Sequence, residues 1–306
     1  MSLYENLVAI IFFFSLGYIF VRFRIFPAEY SKAFTDFIIN VGFPGLVFYN
    51  IYNLKFSSDV IFILFAGYVV IFISLLTSFY IGKWLRFNRQ TLSSFILVSS
   101  FGNTGFLGYP FVLSLYGEEG LRYAVIFDQL AMFLPIYLLA PFIVAYGKGE
   151  KRFNLDFKKI LLFPPFIAMF IAVILKPFTV PTLVLNISQT LGKTVIPLIL
   201  FSVGMNLRFS SLKERLRDIS LVIFIKNFIL SFILLGFVCI AIGQISLSWK
   251  VAIIETSMPP MVLASIFVIN ANLDKDLAVS SVATGILVSF LSVPFFYFLI
   301  EMCGKL

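Results

Sequence analysis

The sequence predicts an all-α integral membrane protein of ten transmembrane helices, built as two inverted five-helix repeats with interrupted, crossing helices at positions four and nine. Three observations predict it: an extreme apolar composition, ten apolar runs of membrane-spanning length, and Gly/Pro interruptions at corresponding places in the two halves. Of 306 residues, 60% are hydrophobic and 12% charged, and the mean hydropathy is +1.03. A soluble domain carries about 25% charged residues. Half that charge cannot cover a globular surface, so the bilayer must serve as solvent. A soluble enzyme, a nucleic-acid binder and a disordered chain are thereby excluded. The net charge of +8 reads as a positive-inside bias rather than as a surface for nucleic acid.

A membrane helix needs roughly 20 apolar residues. The runs fall near 4–22, 33–52, 60–83, 91–116, 121–146, 158–176, 184–206, 216–243, 249–271 and 276–301. The seventh is the least regular, because Pro181, Lys193 and Pro197 interrupt it. The first run is preceded by Glu5 rather than by a basic segment, so no cleavable signal is expected. Of 23 lysines and arginines, sixteen lie in the loops that follow odd-numbered spans and six on the other side. This asymmetry predicts that both termini lie outside the cytoplasm of a cell (inner) membrane protein. Lys226 falls inside a span.

Residues 147–157 form the largest cytoplasmic linker and divide the chain into five-span halves, 1–146 and 158–306. Five is odd, so the second half enters the membrane from the opposite side. The two halves share a motif at a constant offset. Pro44, Phe48, Asn53, Leu54, Phe56, Ser57 and Ser58 match Pro197, Phe201, Asn206, Leu207, Phe209, Ser210 and Ser211, with Lys55 facing Arg208. An N-L-[KR]-F-S-S tail is not apolar filler, so the pattern reads as an inverted repeat, an architecture frequent in secondary transporters.

The fourth span contains Gly102-Asn103-Thr104-Gly105-Phe106-Leu107-Gly108-Tyr109-Pro110, and the ninth contains Glu255-Thr256-Ser257-Met258-Pro259-Pro260. Neither can run as a regular helix. Pro259 has no N–H for the Glu255 carbonyl, Pro260 leaves the Thr256 carbonyl free, and Pro110 leaves that of Phe106 free. Free carbonyls at membrane depth need protein, water or an ion. Half-helix N-termini at the same breaks suit an anion. Either break alone reads as well as an ordinary proline kink; the symmetric pair reads as a transport site.

These residues, G-N-T-G-F-L-G-Y-P at 102–110, the proline-containing second and seventh spans and the M-P-P of the ninth, resemble a bacterial member of the auxin efflux carrier family, within the wider bile acid/auxin transporter group. The similarity covers essentially the whole chain. It implies a scaffold of spans 1, 2, 6 and 7, a transport domain of spans 3–5 and 8–10, and a substrate site where broken spans 4 and 9 cross. It also implies organic anions as substrates, auxins in plants and carboxylates such as malate or malonate in bacteria, and a homodimer. The long cytoplasmic loop of plant members is absent.

Asp128, Lys226 and Glu255 are the charged residues read as lying well within spans, and an ionisable group at that depth is costly enough to suggest function. Glu255 is expected as a cation ligand or proton site, against snorkelling to the outer surface. The sodium-binding Glu in the ninth span of bile acid symporters supports the first. Asp128 and its neighbour Gln129 read as coupling residues or as hydrogen-bond partners of span 4, and the pair resembles the Gln-bearing fifth span of the auxin carriers. Lys226 reads as a snorkelling or ion-paired lysine, or as a counter-charge for substrate or Asp128. Asn103, Thr104, Gly105, Pro110, Pro259, Pro260 and Asn50 are the expected substrate contacts; Thr256 joins the ion-coupling set. Na⁺ held by Glu255, Asp128 and Asn103 is one expectation, H⁺ coupling another.

There is no histidine, which removes the commonest general base and metal ligand. Cys239 and Cys303 are read as neither a disulfide nor a metal site. A membrane enzyme is therefore disfavoured, and no cofactor is expected beyond a coupling ion. The expected partners are a small organic anion and the lipid bilayer, with no nucleic acid. The leading expectation is a coupled, elevator-type secondary transporter of a small organic anion, and the competing one an uncoupled facilitator or channel.

Overall fold

The computed structural model describes residues 3–150, 152–153, 156–206, 215–243 and 245–304. Among them every regular element is helical. The second copy of the repeated tail, Leu207–Ser211, lies outside the described residues, as do Lys151, Lys213 and Lys305 of the charge pattern.

The elements follow the apolar runs. Helix α1 covers Leu3–Arg22. Helix α2 (Tyr30–Phe37) passes through a π-helical turn at Ile38–Gly42 into α3 (Phe43–Asn53), with Pro44 in its first turn. Helix α4 (Ser58–Trp84) is uninterrupted, and α5 (Arg89–Ser100) starts on an Asn88 cap whose side chain accepts the Thr91 N–H. Helix α6 (Tyr109–Phe127) is really two pieces, because Gly117 turns the backbone at φ 67°. A π-helical turn at Asp128–Phe133 leads to α7 (Leu134–Lys148). The second half holds α8 (Phe157–Leu161), α9 (Pro164–Leu175) and α10 (Thr182–Met205). Then come α11 (Leu216–Ile223), a π-helical turn at Phe224–Ile229, and α12 (Leu230–Ala241). Helices α13 (Leu247–Thr256), α14 (Val262–Asn270) and α15 (Lys275–Cys303) complete the chain.

Six helical stretches among the described residues are long and apolar enough to cross a membrane individually. Of the ten expected spans, the ninth is absent from that set because Pro259 and Pro260 cut it into α13 and α14, the fourth is split so that its second part runs on with the fifth in Thr104–Lys148, and the first and sixth are present only as the shorter apolar helices Leu7–Arg22 and Pro164–Leu175. The seventh run, expected near 184–206, is matched by α10, and the prolines that made it look irregular do not break it. Pro181 precedes α10 as its N-cap, and Pro197 is accommodated inside a continuous 24-residue helix. Lys193 is thus a mid-helix residue, not an outer-loop charge.

Contacts divide the chain into two units. The first comprises Met1–Phe56, Gly105–Gln129 and Asp156–Leu207. Here α1 and α10 touch backbone to backbone. A Cβ added at Gly17 would collide with the Phe201 carbonyl oxygen, and one at Gly204 with that of Phe14. Small residues permit such an approach, which in lipid replaces the missing hydrophobic drive between helices. Phe20, Phe26 and Phe34 surround the Phe201 ring at centroid distances of 5.5, 6.2 and 5.5 Å. Beyond the end of α9, the Lys176 ammonium donates to the carbonyls of Ile51 (3.0 Å) and Tyr52 (2.7 Å) and so caps the C-terminus of α3. Burial and the nearby Arg122 guanidinium hold the Lys176 pKa below the ordinary lysine value.

The second unit, Ser57–Thr104, Leu130–Leu155 and Arg208–Leu306, is tied at both ends. At one end Asp274 caps α15 by accepting the Leu277 N–H, accepts the Thr91 hydroxyl at 2.8 Å, and pairs with Arg215 at 3.0 Å. At the other, Asp59 accepts from the hydroxyls of Ser246 (2.7 Å) and Ser248 (3.0 Å), and Lys250 pairs with Glu301 at 2.7 Å. Cys239 and Cys303 join in a disulfide at this second end, their Cα atoms 6.4 Å apart. The sequence reading that left both cysteines unpaired is therefore corrected. A separation of 64 residues gives no hint of pairing, but α12 and α15 run parallel and end at the same level.

Two outcomes are expected. Gly17→Leu or Gly204→Leu overpacks the α1–α10 contact and should cost about 1–3 kcal/mol or more, read as a lowered unfolding temperature in detergent. The purified, unreduced protein in denaturant should show no maleimide-reactive thiol, and two after reduction; two thiols before reduction would refute the pairing.

Candidate substrate and ion site

The two interruptions meet within the second unit. Helix α5 stops at Ser100 because Phe101 turns extended, at φ −110° and ψ 127°. Helix α13 stops at Thr256 because the prolines that follow supply no N–H. The freed strands satisfy each other. The Asn103 N–H donates to the Pro259 carbonyl at 2.8 Å, and the Met261 N–H donates to the Phe101 carbonyl at 2.9 Å. Gly102 and Pro260 form an isolated antiparallel bridge. Gly285 of α15 makes room for it: a Cβ there would stand 2.6 Å from the Pro260 ring.

The Thr256 carbonyl, freed by Pro260, is taken up from inside the chain. The Lys226 ammonium donates to it at 2.7 Å. Lys226 is 1% exposed and comes from the π-helical turn between α11 and α12, not from a snorkelling position at the surface. Glu255, fully buried, lies close enough to act on its charge. Gly102 lets the ammonium in, since a Cβ there would sit 2.9 Å from Nζ. Beside this cluster the Asn103 side-chain Nδ2 is buried and has no hydrogen-bond partner among the described residues. Asn227, next to Lys226, reaches Ser292 only at 3.5 Å. Thr104 is fully buried at the start of the π-helical turn Thr104–Gly108.

Asp128 and Gln129 belong to the first unit, with Gly105 and Pro110. The Asp128 carboxylate accepts from the Tyr109 hydroxyl (2.8 Å) and from Gln129 Nε2 (2.9 Å). Gly105 lies against it: a Cβ would come within 3.3 Å of both carboxylate oxygens. Pro110 follows the π-helical turn Thr104–Gly108 as the second residue of α6. Of the three residues expected around Na⁺, Asp128 therefore stands in the first unit and Glu255 and Asn103 in the second. Among the described residues no group of three or more His, Cys, Asp or Glu side chains is placed to hold a metal ion.

Asn50 lies elsewhere in the first unit, on the wall of a partly open cleft. Tyr49, Glu118, Gln189 and Lys193 share that wall. The sequence reading missed Lys193 and Glu118. The run read at 184–206 already contains Lys193; what the sequence does not show is that α3, α6 and α10 adjoin and bring it beside Glu118.

Gly102→Ala should displace Lys226 from the Thr256 carbonyl. Leaving a buried carbonyl or ammonium unsatisfied costs about 1–3 kcal/mol, so the unfolding temperature should fall, and Gly285→Val should do the same by pressing on Pro259 and Pro260. An unchanged melting curve in both variants would contradict the packing described.

The model of the family described as membrane transport protein matches residues 2–297. An uncharacterized transporter of Methanothermobacter thermautotrophicus is 28% identical over 300 residues, 95% of this chain and 96% of its own length. A second uncharacterized transporter, from Methanocaldococcus jannaschii, is 29% identical over 277 residues, 87% of this chain and 89% of its own. A multi-pass helical chain with paired interruptions at its core, matched almost from end to end, belongs to the membrane transport protein family and is a transporter rather than an enzyme.

Proposed function

We propose that the chain is a secondary transporter of a small organic anion, with ten spans in two inverted repeats and its substrate site where the interrupted spans cross. The observation that carries this reading is the pairing of the two breaks around a buried ammonium, with the donor of Asn103 left unsatisfied beside it. An unsatisfied amide donor suits a carboxylate oxygen. The N-terminus of α14, which opens directly after the break, adds a positive dipole end. Scaffold spans 1, 2, 6 and 7 and transport spans 3–5 and 8–10 would then move past each other in an elevator motion. Residues 105–129, expected in the transport domain, fall by contacts with the first unit here.

The coupling cation favoured is H⁺ rather than Na⁺. The carbonyl that a sodium ion would need is already held by Lys226, and a tethered ammonium cannot diffuse away to make room. Lys226, Glu255 and Asp128, the last with its Tyr109 and Gln129 donors, are the buried ionisable groups proposed for the coupling role. The same tethered cation also fits an uncoupled carrier, which needs no ion at all.

Orientation with both termini outside rests on the charge asymmetry and gains support from the disulfide. Cys239 and Cys303 lie at ends of α12 and α15 that this orientation places outside the cytoplasm, where disulfides persist.

The test is counterflow of labelled carboxylates, benzoate and malonate among them, in proteoliposomes. Saturable exchange is expected, unchanged when N-methylglucamine replaces Na⁺ and reduced when a pH gradient is collapsed. Asn103→Ala and Pro260→Ala should lower flux about tenfold or more, the worth of one charge-assisted hydrogen bond. Normal flux in both variants refutes the site, a strict Na⁺ requirement refutes the tethered-cation reading, and flux without counterflow indicates a channel.

A further inference from the structure

The cleft on the first unit contains a charge that the transport reading does not use. Lys193 is the twelfth of 24 residues in α10, so it stands roughly 17 Å from either end of that helix. It is exposed, and among the described residues no carboxylate lies within 4.0 Å of its ammonium. An unpaired charge at that depth facing lipid is costly, and such residues face a water-filled cavity or a substrate path. Lys193 lines such a recess, a partly open cleft whose walls come from α3, α6 and α10, all within one unit. Gly192 brings α10 against α3, since its Cβ would lie 3.0 Å from the Leu46 Cα, and this fixes the helix face that presents Lys193.

We infer that this cleft is a recognition site for a monocarboxylate with an apolar body, and that Lys193 is the residue that receives the carboxylate. The remaining chemistry of the cleft fits that ligand. Leu46, Leu113, Leu121 and Ile196 supply apolar wall. Asn50 is 2% exposed and holds the α3 backbone through Nδ2, while its Oδ1 has no donor. Glu118, exposed in the same cleft, opposes a second negative charge, so dicarboxylates are selected against. The surroundings draw anions in. Arg122 follows Leu121 of the wall, and Lys176 caps the same α3 terminus that carries Asn50 one turn earlier. The site deepens the organic-anion reading by naming a charged contact away from the interruptions.

The experiment measures binding to the purified full-length protein in neutral detergent, with benzoate, its uncharged analogue benzamide and the dicarboxylate malonate as probes. Wild type should bind benzoate saturably, benzamide not detectably and malonate weakly. Lys193→Met should weaken benzoate binding by about 10- to 100-fold, the range for a hydrogen bond to a charged group, and Lys193→Arg should retain it. Glu118→Gln should improve malonate binding severalfold. Lys193→Cys, lacking the charge, should regain benzoate binding when converted with aminoethyl methanethiosulfonate and not with the ethyl reagent, so that loss and recovery are read on one folded protein. Equal benzoate affinity in wild type and Lys193→Met overturns the inference, as does the absence of benzoate binding to wild type. If carboxylate counterflow persists in either case, the transport reading stands and only this site fails; if wild type neither binds nor exchanges any carboxylate, the organic-anion reading fails with it.

Discussion

Every backbone polar group at membrane depth must find its partner inside the protein, and this structure is organised by that demand. Helices satisfy it automatically. The two interruptions do not, and their repair explains the residues around them. Phe101 and Asn103 on one side and Pro259 and Met261 on the other exchange backbone hydrogen bonds. The one carbonyl that proline sets free at Thr256 is met by Lys226. Gly102 and Gly285 are glycines because the ammonium and the proline rings occupy the space a side chain would need.

The units reach stability by different means. The first relies on close backbone approach between α1, α3 and α10, with glycine at each contact. The second relies on polar and covalent ties at its two ends, around Asp274 and around Asp59, Glu301 and the disulfide. These ties also fix the direction of the helices. Thr91, Arg215 and Asp274 meet at one end, Asp59 with Ser246 and Ser248, and Lys250 with Glu301, at the other, so successive long helices of the second unit run in alternating directions.

Much of this was legible because membrane sequences are simple. Apolar length gives helices, and clustered Gly and Pro give their interruptions, so the breaks at 102–110 and 255–260 were readable to within a few residues. The carbonyl freed by Pro260 followed from the absence of an N–H. What filled it did not: Lys226 lies 30 residues away, and nothing local says that its side chain turns inward at a π-helical turn. The Asp128–Tyr109 bond and the pairing of Cys239 with Cys303 depend equally on which helices adjoin. The seventh run was read with nearly its observed ends, but Lys193 was counted with the outer-side charges although it lies in mid-helix. Pro197 and Lys193 violate helix rules derived for water, and in lipid neighbouring helices and a cleft absorb both.

The absence of histidine has a consequence beyond the loss of a ligand and a base. Imidazole normally dominates the proton uptake of a protein between pH 5 and 8, and here that background is missing. Free carboxylic acids release their protons well below this window and free lysines hold theirs well above it. The cysteines are committed to each other. Proton uptake or release recorded near neutrality would therefore be free of any imidazole contribution. A pH-difference infrared spectrum of this protein could then be read for carboxyl bands with no imidazole bands to subtract.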